Sequence, residues 1–257
     1  MHTIDHCALC TSPAILTNAA ELYPFIQHRM TGTAPSTGKS LIPTTVIRCT
    51  ACGFAHSAVR FTAEEEQRFY TNYGRDDYLD QRCYYEGEQM RHYFLYTRLG
   101  TNALRLREFD NFLARYIPGT VSFDRVLDYG GLGMTVPQRW SPCEYMSSDL
   151  SGVSGLAQGF SVWDGGAVDF LISQQCLEHV SDPMRIWLDM VQQVRAGGWI
   201  YVEVPNESRY GSGHIHEHIN GFNPSSLEYL ASTAGVDVVY CGADTNNWVL
   251  LARVKSS

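Results

Sequence analysis

The stretch VLDYGGLG, residues 126–133, joins an apolar, strand-like run to a turn rich in glycine. Glycines in such a turn let the backbone come close to a bound nucleotide. An acid, Asp149, follows about 20 residues later at the end of a second predicted strand, where it can accept hydrogen bonds from a ribose diol. The stretch therefore predicts a nucleotide site at the carboxyl end of a strand, for a dinucleotide or for an adenosyl group.

Strands and helices alternate on the carboxyl side of this turn. The strand CEYMSSDLS precedes the buried strand AVDFLIS, and Asp182-Pro183 then caps and opens a helix that leads to the strand WIYVEVPN. A further helix starts at Asn223-Pro224, and VDVVYCG and NWVLLARV form a closing hairpin. Alternation of this kind predicts a parallel sheet with covered faces. Residues 119–257 are therefore predicted to form an α/β domain with an antiparallel hairpin at its edge.

The composition narrows the classes of function. With 257 residues, 44% apolar and 18% charged, the chain can form one large domain or two small ones. A net charge of −8 argues against nucleic-acid binding, which depends on Lys and Arg. No apolar run approaches the roughly 20 residues of a membrane helix, and the start MHTIDHCALC lacks the pattern of a secretory signal. We therefore expect a cytoplasmic protein without nucleic-acid or membrane partners.

Four of the eight cysteines form two C-x-x-C pairs, Cys7 with Cys10 and Cys49 with Cys52. Two such pairs at this separation are typical of a zinc ribbon, in which four thiolates close a tetrahedral site. Because cysteine fills all four positions, no ligand position is left for catalysis, and the predicted zinc is structural. Disulfides are not expected in a cytoplasmic chain. Residues 1–60 are therefore predicted to form a small zinc-ribbon domain.

Residues 61–118 connect the two predicted domains and are rich in tyrosine and arginine. Thr62 is a predicted N-cap, followed by acids in the first helical turn. The Tyr and Arg side chains fold over a bound ligand as a lid, or else they pack the ribbon against the core with their polar tips outward. The side chains concerned are Tyr70, Tyr73, Arg75, Tyr78 and Arg82.

The motifs VLDYGGLG, SSDLS, VDFLISQQCLEHVSDP and RAGGWIYVEVPN together resemble the class I S-adenosylmethionine-dependent methyltransferases, over most of residues 120–257. The resemblance implies a seven-stranded Rossmann-like methyltransferase sheet with S-adenosylmethionine as the methyl donor. It also implies that Asp128, Gly130 and Gly131 line the methionine part of the donor. The family pattern D-x-G-x-G-x-G is displaced in this chain, so Gly133 carries over only loosely.

Three further residues receive donor-binding roles from the same resemblance, and a fourth, Tyr73, receives one from the lid interpretation. It implies that Asp149 binds the ribose hydroxyls and that Asp164 lies near the adenine. Gln174, just past the fourth strand of the domain, would face the methyl-bearing sulfur. Tyr73, in the lid interpretation of the Tyr-rich segment, would reach the carboxylate of the donor.

The N-terminal ribbon, with C-G-F after its last cysteine pair, narrows the resemblance to bacterial sugar methyltransferases. These act on nucleotide-linked deoxysugars or on capsule and O-antigen precursors, which implies a sugar or nucleotide-sugar acceptor here. They carry an E-H-x-x-x-F element after the fifth strand, matched by EHINGF at residues 217–222. In C-methylating relatives this His and Glu are implicated in removing a proton from the sugar. Longer C-methylating relatives carry a further C-terminal domain, and its absence after the hairpin favours O-methylation.

Residues 213–220, GHIHEHIN, place three histidines at alternate positions between the fifth strand and the next helix. In open α/β sheets this segment overlooks the ligand, and a hydroxyl acceptor must lose a proton. We predict His218 as the general base and Glu217 as its orienting partner. His216 is a further catalytic candidate that, like His214, contacts the sugar or lines a polar loop. A divalent-metal site and three solvated histidines are the alternatives.

His179, in LEHV, lies either in a simple loop before a helix or near the acceptor. Besides sugar O-methylation, the sequence allows sugar C-methylation and methylation of another small natural product. A different class is a zinc-ribbon interaction protein whose donor fold has lost catalysis, whereas the acidic charge disfavours an RNA methyltransferase. The acceptor, the methylated position and the oligomeric state are not determined by these motifs.

Overall fold

The computed structural model describes residues 2–36, 38–73, 75–92, 102–131, 144–148, 160–206, 214–215 and 217–256. Its strands are β1 (His2–Thr3), β2 (Ile15–Leu22), β3 (Ile42–Cys49), β4 (Ala55–Ser57), β5 (Val59–Arg60), β6 (Arg125–Tyr129), β7 (Glu144–Ser148), β8 (Phe160–Val162), β9 (Val168–Gln174), β10 (Val194–Pro205), β11 (His214–Ile215), β12 (Asn220–Gly221), β13 (Val236–Asp244) and β14 (Asn247–Val254). Its helices are α1 (Pro24–Thr31), α2 (Ala63–Tyr70), α3 (Asp76–Glu86), α4 (Asn102–Tyr116), α5 (Pro183–Gln193) and α6 (Pro224–Ala234). Within these ranges, no helix is long and apolar enough to cross a membrane.

Seven strands form one sheet in the order β13-β14-β10-β9-β6-β7-β8. The pairs from β8 to β10 are parallel, and β14 runs antiparallel to both β10 and β13. The chain moves outward from β6 to β8 and then returns to the other side of β6, so the order reverses between β6 and β9. Ligands of open α/β sheets bind at the carboxyl ends of strands at such a reversal. The predicted Rossmann-like α/β fold with a closing hairpin is confirmed.

Burial and capping explain why these elements form where they do. The first six residues of β9 are all buried, as expected for a central parallel strand covered on both faces. Asp182 accepts a hydrogen bond from the Arg185 backbone N–H, and Pro183 occupies the first position of α5. Asn223 caps α6 in the same way, and Gly235 ends it at φ 65°. The predicted starts of both helices are confirmed.

A second sheet joins the N-terminal region to the segment after β10. Its order is β11-β2-β3-β4-β12, so two short strands of residues 214–221 flank three strands from the first 60 residues. β11 pairs parallel to β2, and β12 pairs antiparallel to β4. The segment that carries Glu217 and His218 therefore lies between two strands that the N-terminal sheet holds.

The N-terminal region also packs directly on α6. The ring centroids of Phe54 and Phe222 are 4.9 Å apart, and both side chains are buried. The side-chain amide of Asn223, the N-cap of α6, donates to the Gly53 carbonyl at 3.0 Å. Cys7, Cys49 and Cys52 belong to the same apolar core as the central sheet and α5. The cysteine pairs are therefore continuous with the main core.

Candidate active site and cysteine cluster

The two C-x-x-C pairs meet in space, and we call the four residues the cysteine cluster. The Sγ atoms of Cys7 and Cys52 are 3.7 Å apart, and those of Cys10 and Cys49 are 3.5 Å apart. A disulfide would require about 2.05 Å, and all four are free thiols. Tetrahedral zinc with Zn–S bonds of about 2.3 Å separates its sulfurs by about 3.8 Å. The observed spacing therefore fits one metal ion at the centre.

Backbone geometry around the cysteine cluster supports thiolate ligands. The N–H groups of Leu9 and Cys10 both point at Cys7 Sγ at 3.4 Å, and the Ala51 N–H points at Cys49 Sγ at 3.3 Å. Burial raises the pKa of the Cys7 thiol to about 11 in the absence of a cation. A bound metal ion offsets the cost of burying a charged thiolate, because cysteine ligands bind the metal in their deprotonated form. The four cysteines can therefore hold a metal.

The glycine turn at the end of β6, residues 128–131, leaves no room for a side chain at Gly130 or Gly131. Gly130 has φ +72°, and a Cβ there would lie 2.5 Å from Cys176 Sγ. A Cβ on Gly131 would lie 2.1 Å from both carboxylate oxygens of Asp128. The Ser147 hydroxyl on β7 donates to the Gly131 carbonyl at 2.6 Å, which anchors the turn. The structure thus brings three of the predicted donor residues, Asp128, Gly130 and Gly131, to the point where the strand order reverses.

The buried carboxylate of Glu203 contacts residues at the end of the neighbouring strand β9. Glu203 on β10 is 5% exposed and accepts hydrogen bonds from Tyr201 at 2.9 Å and from Gln175 at 3.2 Å. Gln174, the predicted neighbour of the sulfur, ends β9 and is 3.5 Å from a Glu203 oxygen. Gln175 has φ 56°, a left-handed conformation that a non-glycine residue rarely adopts. Strained backbone of this type often marks a functional site.

Asp164 lies elsewhere. Its Oδ1 pairs with Arg125 at 2.6 Å and accepts from the Gly166 N–H at 2.9 Å, and the side chain is 61% exposed. Arg125 begins β6 and also binds the carbonyl of Ala167, the residue before β9. Asp164 therefore follows the end of β8 by two residues and is held by a residue at the start of β6. Three other candidates, Gly133, Asp149 and His216, fall outside the described residues.

Glu217 is the centre of a polar cluster that α3 and the turn before it help to build. Its carboxylate accepts hydrogen bonds from the hydroxyls of Tyr73 and Tyr78, each at 3.2 Å, and pairs with the Arg82 guanidinium at 3.0 Å. We call these four residues the carboxylate cluster. Arg82 also binds Glu86 at 3.2 Å, one helical turn later. The lid candidates Tyr73, Tyr78 and Arg82 therefore contact the predicted catalytic loop.

The electrostatics of the carboxylate cluster keep Glu217 ionised. Burial favours its neutral form, but Arg82 and the nearby histidines outweigh this effect and lower the pKa of Glu217 to about 2. Burial and the Glu217 charge both raise the pKa of Tyr78 well above its usual range, so the phenol stays protonated and donates. Glu217 is thus a fixed anion at neutral pH, and its carboxylate does not serve as a reservoir for protons.

His179 and His218 form a pair beside Glu217. Their ring centroids are 4.7 Å apart in an edge-to-face arrangement. His179 Nδ1 lies 3.1 Å from the Glu217 carbonyl oxygen, so Nδ1 carries the hydrogen and Nε2 keeps its lone pair. Burial and the neighbouring His218 lower the pKa of His179 to about 4, which makes His179 a poor acceptor for a proton at neutral pH. His218 is the better candidate for a base in this pair.

The histidine pair and the glycine turn belong to one site. Cys176 Sγ lies against Gly130, and the Cys176 carbonyl accepts the His179 backbone N–H at 3.0 Å. One short turn therefore connects the predicted donor site with the histidines. Glu178, which is fully buried, extends the group, since one of its oxygens is 3.8 Å from His179 Nε2. Ligand atoms of Glu178, His179 and His218 all lie within 4.8 Å of one another and could hold a cation.

Some members of the site have no strong signal in the sequence. Glu203 sits inside an apolar strand, and its partners come from the end of the neighbouring strand. The ion pair of Arg82 and Glu86 has i,i+4 spacing, which could have suggested the contact. The pairing of Arg82 with Glu217, 135 residues away, depends on the fold and has no local pattern.

Comparison with known proteins shows likeness in fold only. No family model and no curated protein matches the chain. An S-adenosylmethionine-dependent methyltransferase from Clostridium acetobutylicum is similar over 65% of this chain and 99% of its own, at 9% identity and a TM-score of 0.49. An O-methyltransferase family protein from Burkholderia thailandensis is similar over 73% of this chain and 64% of its own, at 13% identity and a TM-score of 0.46. The N-methyltransferase NodS from Bradyrhizobium japonicum is similar over 61% of this chain and 90% of its own, at 15% identity and a TM-score of 0.43.

Proposed function

We propose that the chain is an S-adenosylmethionine-dependent methyltransferase. The observation that carries the proposal is the glycine turn at the reversal between β6 and β9, in a sheet whose closing strands are antiparallel. There Gly130 and Gly131 carry no side chains that would stand between the backbone and a ligand, and Asp128 can accept from the donor's ammonium group. Gly133 and Asp149 belong to the same donor site in this proposal, with Gln174 at the sulfur. The contacts of Asp164 do not support the adenine role that the sequence suggests.

The proposed acceptor is a hydroxyl of a sugar or nucleotide-linked sugar, and His218 is the proposed general base. The acceptor O–H transfers its proton to His218 as the oxygen forms a bond to the methyl carbon. The methyl–sulfur bond breaks in line, and its electron pair neutralises the sulfonium. The ionised Glu217 stabilises the imidazolium that results. His216 remains a candidate contact to the acceptor.

The cysteine cluster supports a proposal of structural zinc. Four thiolates leave no open position on a tetrahedral ion, so the metal would take no part in the chemistry. The cluster lies in the core that α6 shares with the ribbon, and a metal there would hold the N-terminal sheet against the donor domain. A cytoplasmic location belongs to the same proposal, since reduced thiols persist there.

A second mechanism is favoured by one observation, the convergence of Glu178, His179 and His218. Two histidines and a carboxylate can bind a divalent ion with positions left for substrate oxygens. In that case the ion would lower the pKa of the acceptor hydroxyl, and His218 would be a ligand. Proton transfer is preferred because the 3.8 Å between Glu178 and His179 exceeds the roughly 3.3 Å that separates N and O ligands on tetrahedral zinc. A chelator that leaves the cysteine cluster loaded should then leave turnover unchanged.

Calorimetry with S-adenosylmethionine, followed by a screen for methyl uptake by nucleotide-linked sugars, tests the proposed function. We expect one donor per chain and transfer of labelled methyl to a sugar oxygen. Product analysis by mass spectrometry and NMR separates O-methylation from C-methylation. Failure to bind the donor would favour an interaction protein with a degenerate donor fold and end the enzyme proposal.

A further inference from the structure

Asn220 lies at the centre of the contacts between the catalytic loop and the turn after β9. It follows His218 by two residues, begins β12 and is 2% exposed. Its backbone N–H donates to the Glu178 carbonyl at 3.0 Å, and the Ile219 N–H donates to the same oxygen at 2.9 Å. The backbone of the loop is therefore tied to the residue that immediately precedes His179.

The side chain of Asn220 brackets the same turn. Its Nδ2 group donates to the Leu177 carbonyl at 2.8 Å and to the Val180 carbonyl at 2.7 Å. These two carbonyls flank Glu178 and His179 on either side. An amide NH₂ has two donor hydrogens, and both are used here. A side chain without two donors at this position would leave a buried carbonyl without this partner.

Arg60 holds the other end of the amide. Its Nη1 donates to Asn220 Oδ1 at 2.7 Å, and Arg60 itself is the last residue of β5 and 2% exposed. Its Nε and Nη2 make no hydrogen bond within the described part of the chain. Glu66 and Asp182 contribute negative charge around the buried guanidinium. The only direct hydrogen bond of this buried cation, among the residues described, is thus the one to Asn220.

We propose that Asn220 is a positioning residue, which sets the geometry of the His179–His218 pair and is itself oriented by Arg60. This role rests on the proposed function, because it matters only if His218 acts on the acceptor. His179 lies in the turn between the Leu177 and Val180 carbonyls, and His218 lies two residues before Asn220. The side-chain amide of Asn220 therefore links the two segments that carry the histidine rings. Through Arg60 the same connection reaches the N-terminal region, which therefore takes part in the alignment of the base.

The variant Asn220→Asp tests the role with a minimal change of shape. The carboxylate still accepts from Arg60 but has no hydrogens for the two carbonyls, and it repels them. We expect kcat to fall about 10²-fold, the loss typical of a reacting group displaced by about 1 Å, with the dissociation constant of S-adenosylmethionine unchanged. Proton NMR should show changed ring-proton shifts for His179 and His218, because the two rings leave their edge-to-face arrangement.

The matched control is Asn223→Asp. Asn223 also joins the ribbon to the donor domain through the Gly53 carbonyl, and Asp keeps its capping oxygen for Ser226. Within the described residues its side-chain hydrogen bonds go to Gly53 and Ser226 and none to the turn at 177–180, so kcat and the ring-proton shifts of His179 should stay at the wild-type values. An equal loss of kcat in both variants would overturn the positioning role, as would wild-type kcat in Asn220→Asp.

Arg60→Met provides the second variant, which is decisive if Asn220→Asp does not fold. Both carbonyl contacts of Asn220 persist, but its Oδ1 loses a charged donor, and we expect kcat to fall about tenfold with donor affinity intact. Wild-type kcat in Arg60→Met would remove Arg60 from the proposal. If the wild-type protein transfers no methyl group, the proposed function fails, and the ring-proton shifts of His179 and His218 in the two asparagine variants still decide whether Asn220 positions the pair.

Discussion

The cysteine cluster and the carboxylate cluster are both buried polar sites made from distant parts of the chain, yet they differ in how charge is balanced. Four sulfurs converge at 3.5 and 3.7 Å, and their positions suit a central cation. Glu217, in contrast, has its cation within the protein, because Arg82 lies 3.0 Å away. We therefore expect metal removal to destabilise the cysteine cluster and loss of Arg82 to destabilise the carboxylate cluster.

The largest effect is expected at the cysteine cluster. Cys49→Ser removes one thiolate, and a structural zinc site contributes on the order of 10 kcal/mol to folding. The variant should lose its metal and unfold the N-terminal sheet. Metal analysis and circular dichroism provide the measurement, and Cys241→Ser, outside the cluster, provides the control. Less than half an equivalent of zinc in carefully purified wild-type protein would contradict the metal assignment.

The next effect concerns Arg82. In Arg82→Met, the carboxylates of Glu217 and Glu86 lose their buried cation, and breaking a buried pair costs about 3–5 kcal/mol. Urea unfolding should reveal this loss, whereas Arg91→Met, which breaks exposed ion pairs with Asp76 and Asp80, should leave stability unchanged.

A double variant tests whether Arg82 and Glu217 are energetically coupled. Adding Glu217→Gln to Arg82→Met removes the uncompensated charge of Glu217 and should restore part of the stability. If the double variant is as unstable as the sum of the two single variants, the two residues are not coupled. In that case the carboxylate cluster would not balance its own charge.

The glycine turn allows a test that leaves both clusters intact. Gly131→Ala would place its Cβ 2.1 Å from the Asp128 carboxylate, which must then move. A charge-assisted hydrogen bond to the donor is worth about 1.5–3 kcal/mol, so donor affinity should fall roughly ten- to hundredfold. Gly119→Ala, where a Cβ meets nothing within 4 Å, is the control. Calorimetry that finds equal affinities in both variants would move the donor away from this turn.

Acidification should produce the smallest effect. Burial first, and His218 second, lower the pKa of His179 to about 4 from 6.5. The unfolded chain therefore binds the proton more readily, and stability should decline as the pH falls from about 6.5 towards about 4. The difference in unfolding free energy between wild type and His179→Gln should shrink over this window, which separates His179 from other acid-sensitive groups. A constant difference would show that His179 is not protected from protonation.

The sequence predicts the elements whose signals are local. The apolar run of β9, the Asp182 and Asn223 caps and the cysteine spacing all describe neighbours along the chain, and the structure confirms the fold, both helix starts and the meeting of the cysteines. The turn VLDYGGLG likewise predicts close backbone approach at Gly130 and Gly131.

The contacts that complete the site are not local. β11 and β12 have two residues each, too few to show a period, so their pairing with the N-terminal sheet has no sequence pattern. Arg82 meets Glu217 across 135 positions, and Arg60 meets Asn220 across 160. These pairs follow from the fold as a whole. Arg82 and Arg60 hold the loop at residues 217–220 from two other regions of the chain, whereas the sequence shows only a histidine motif there.

Turnover of His218→Ala, measured beside its donor affinity, tests whether His218 is the general base. We expect a loss of about 10²- to 10⁴-fold in kcat, with S-adenosylmethionine bound as in the wild type. The exposed His92 offers the control variant His92→Ala, which should keep full turnover. Wild-type turnover in His218→Ala would contradict the proposal that this histidine accepts the proton of the acceptor hydroxyl.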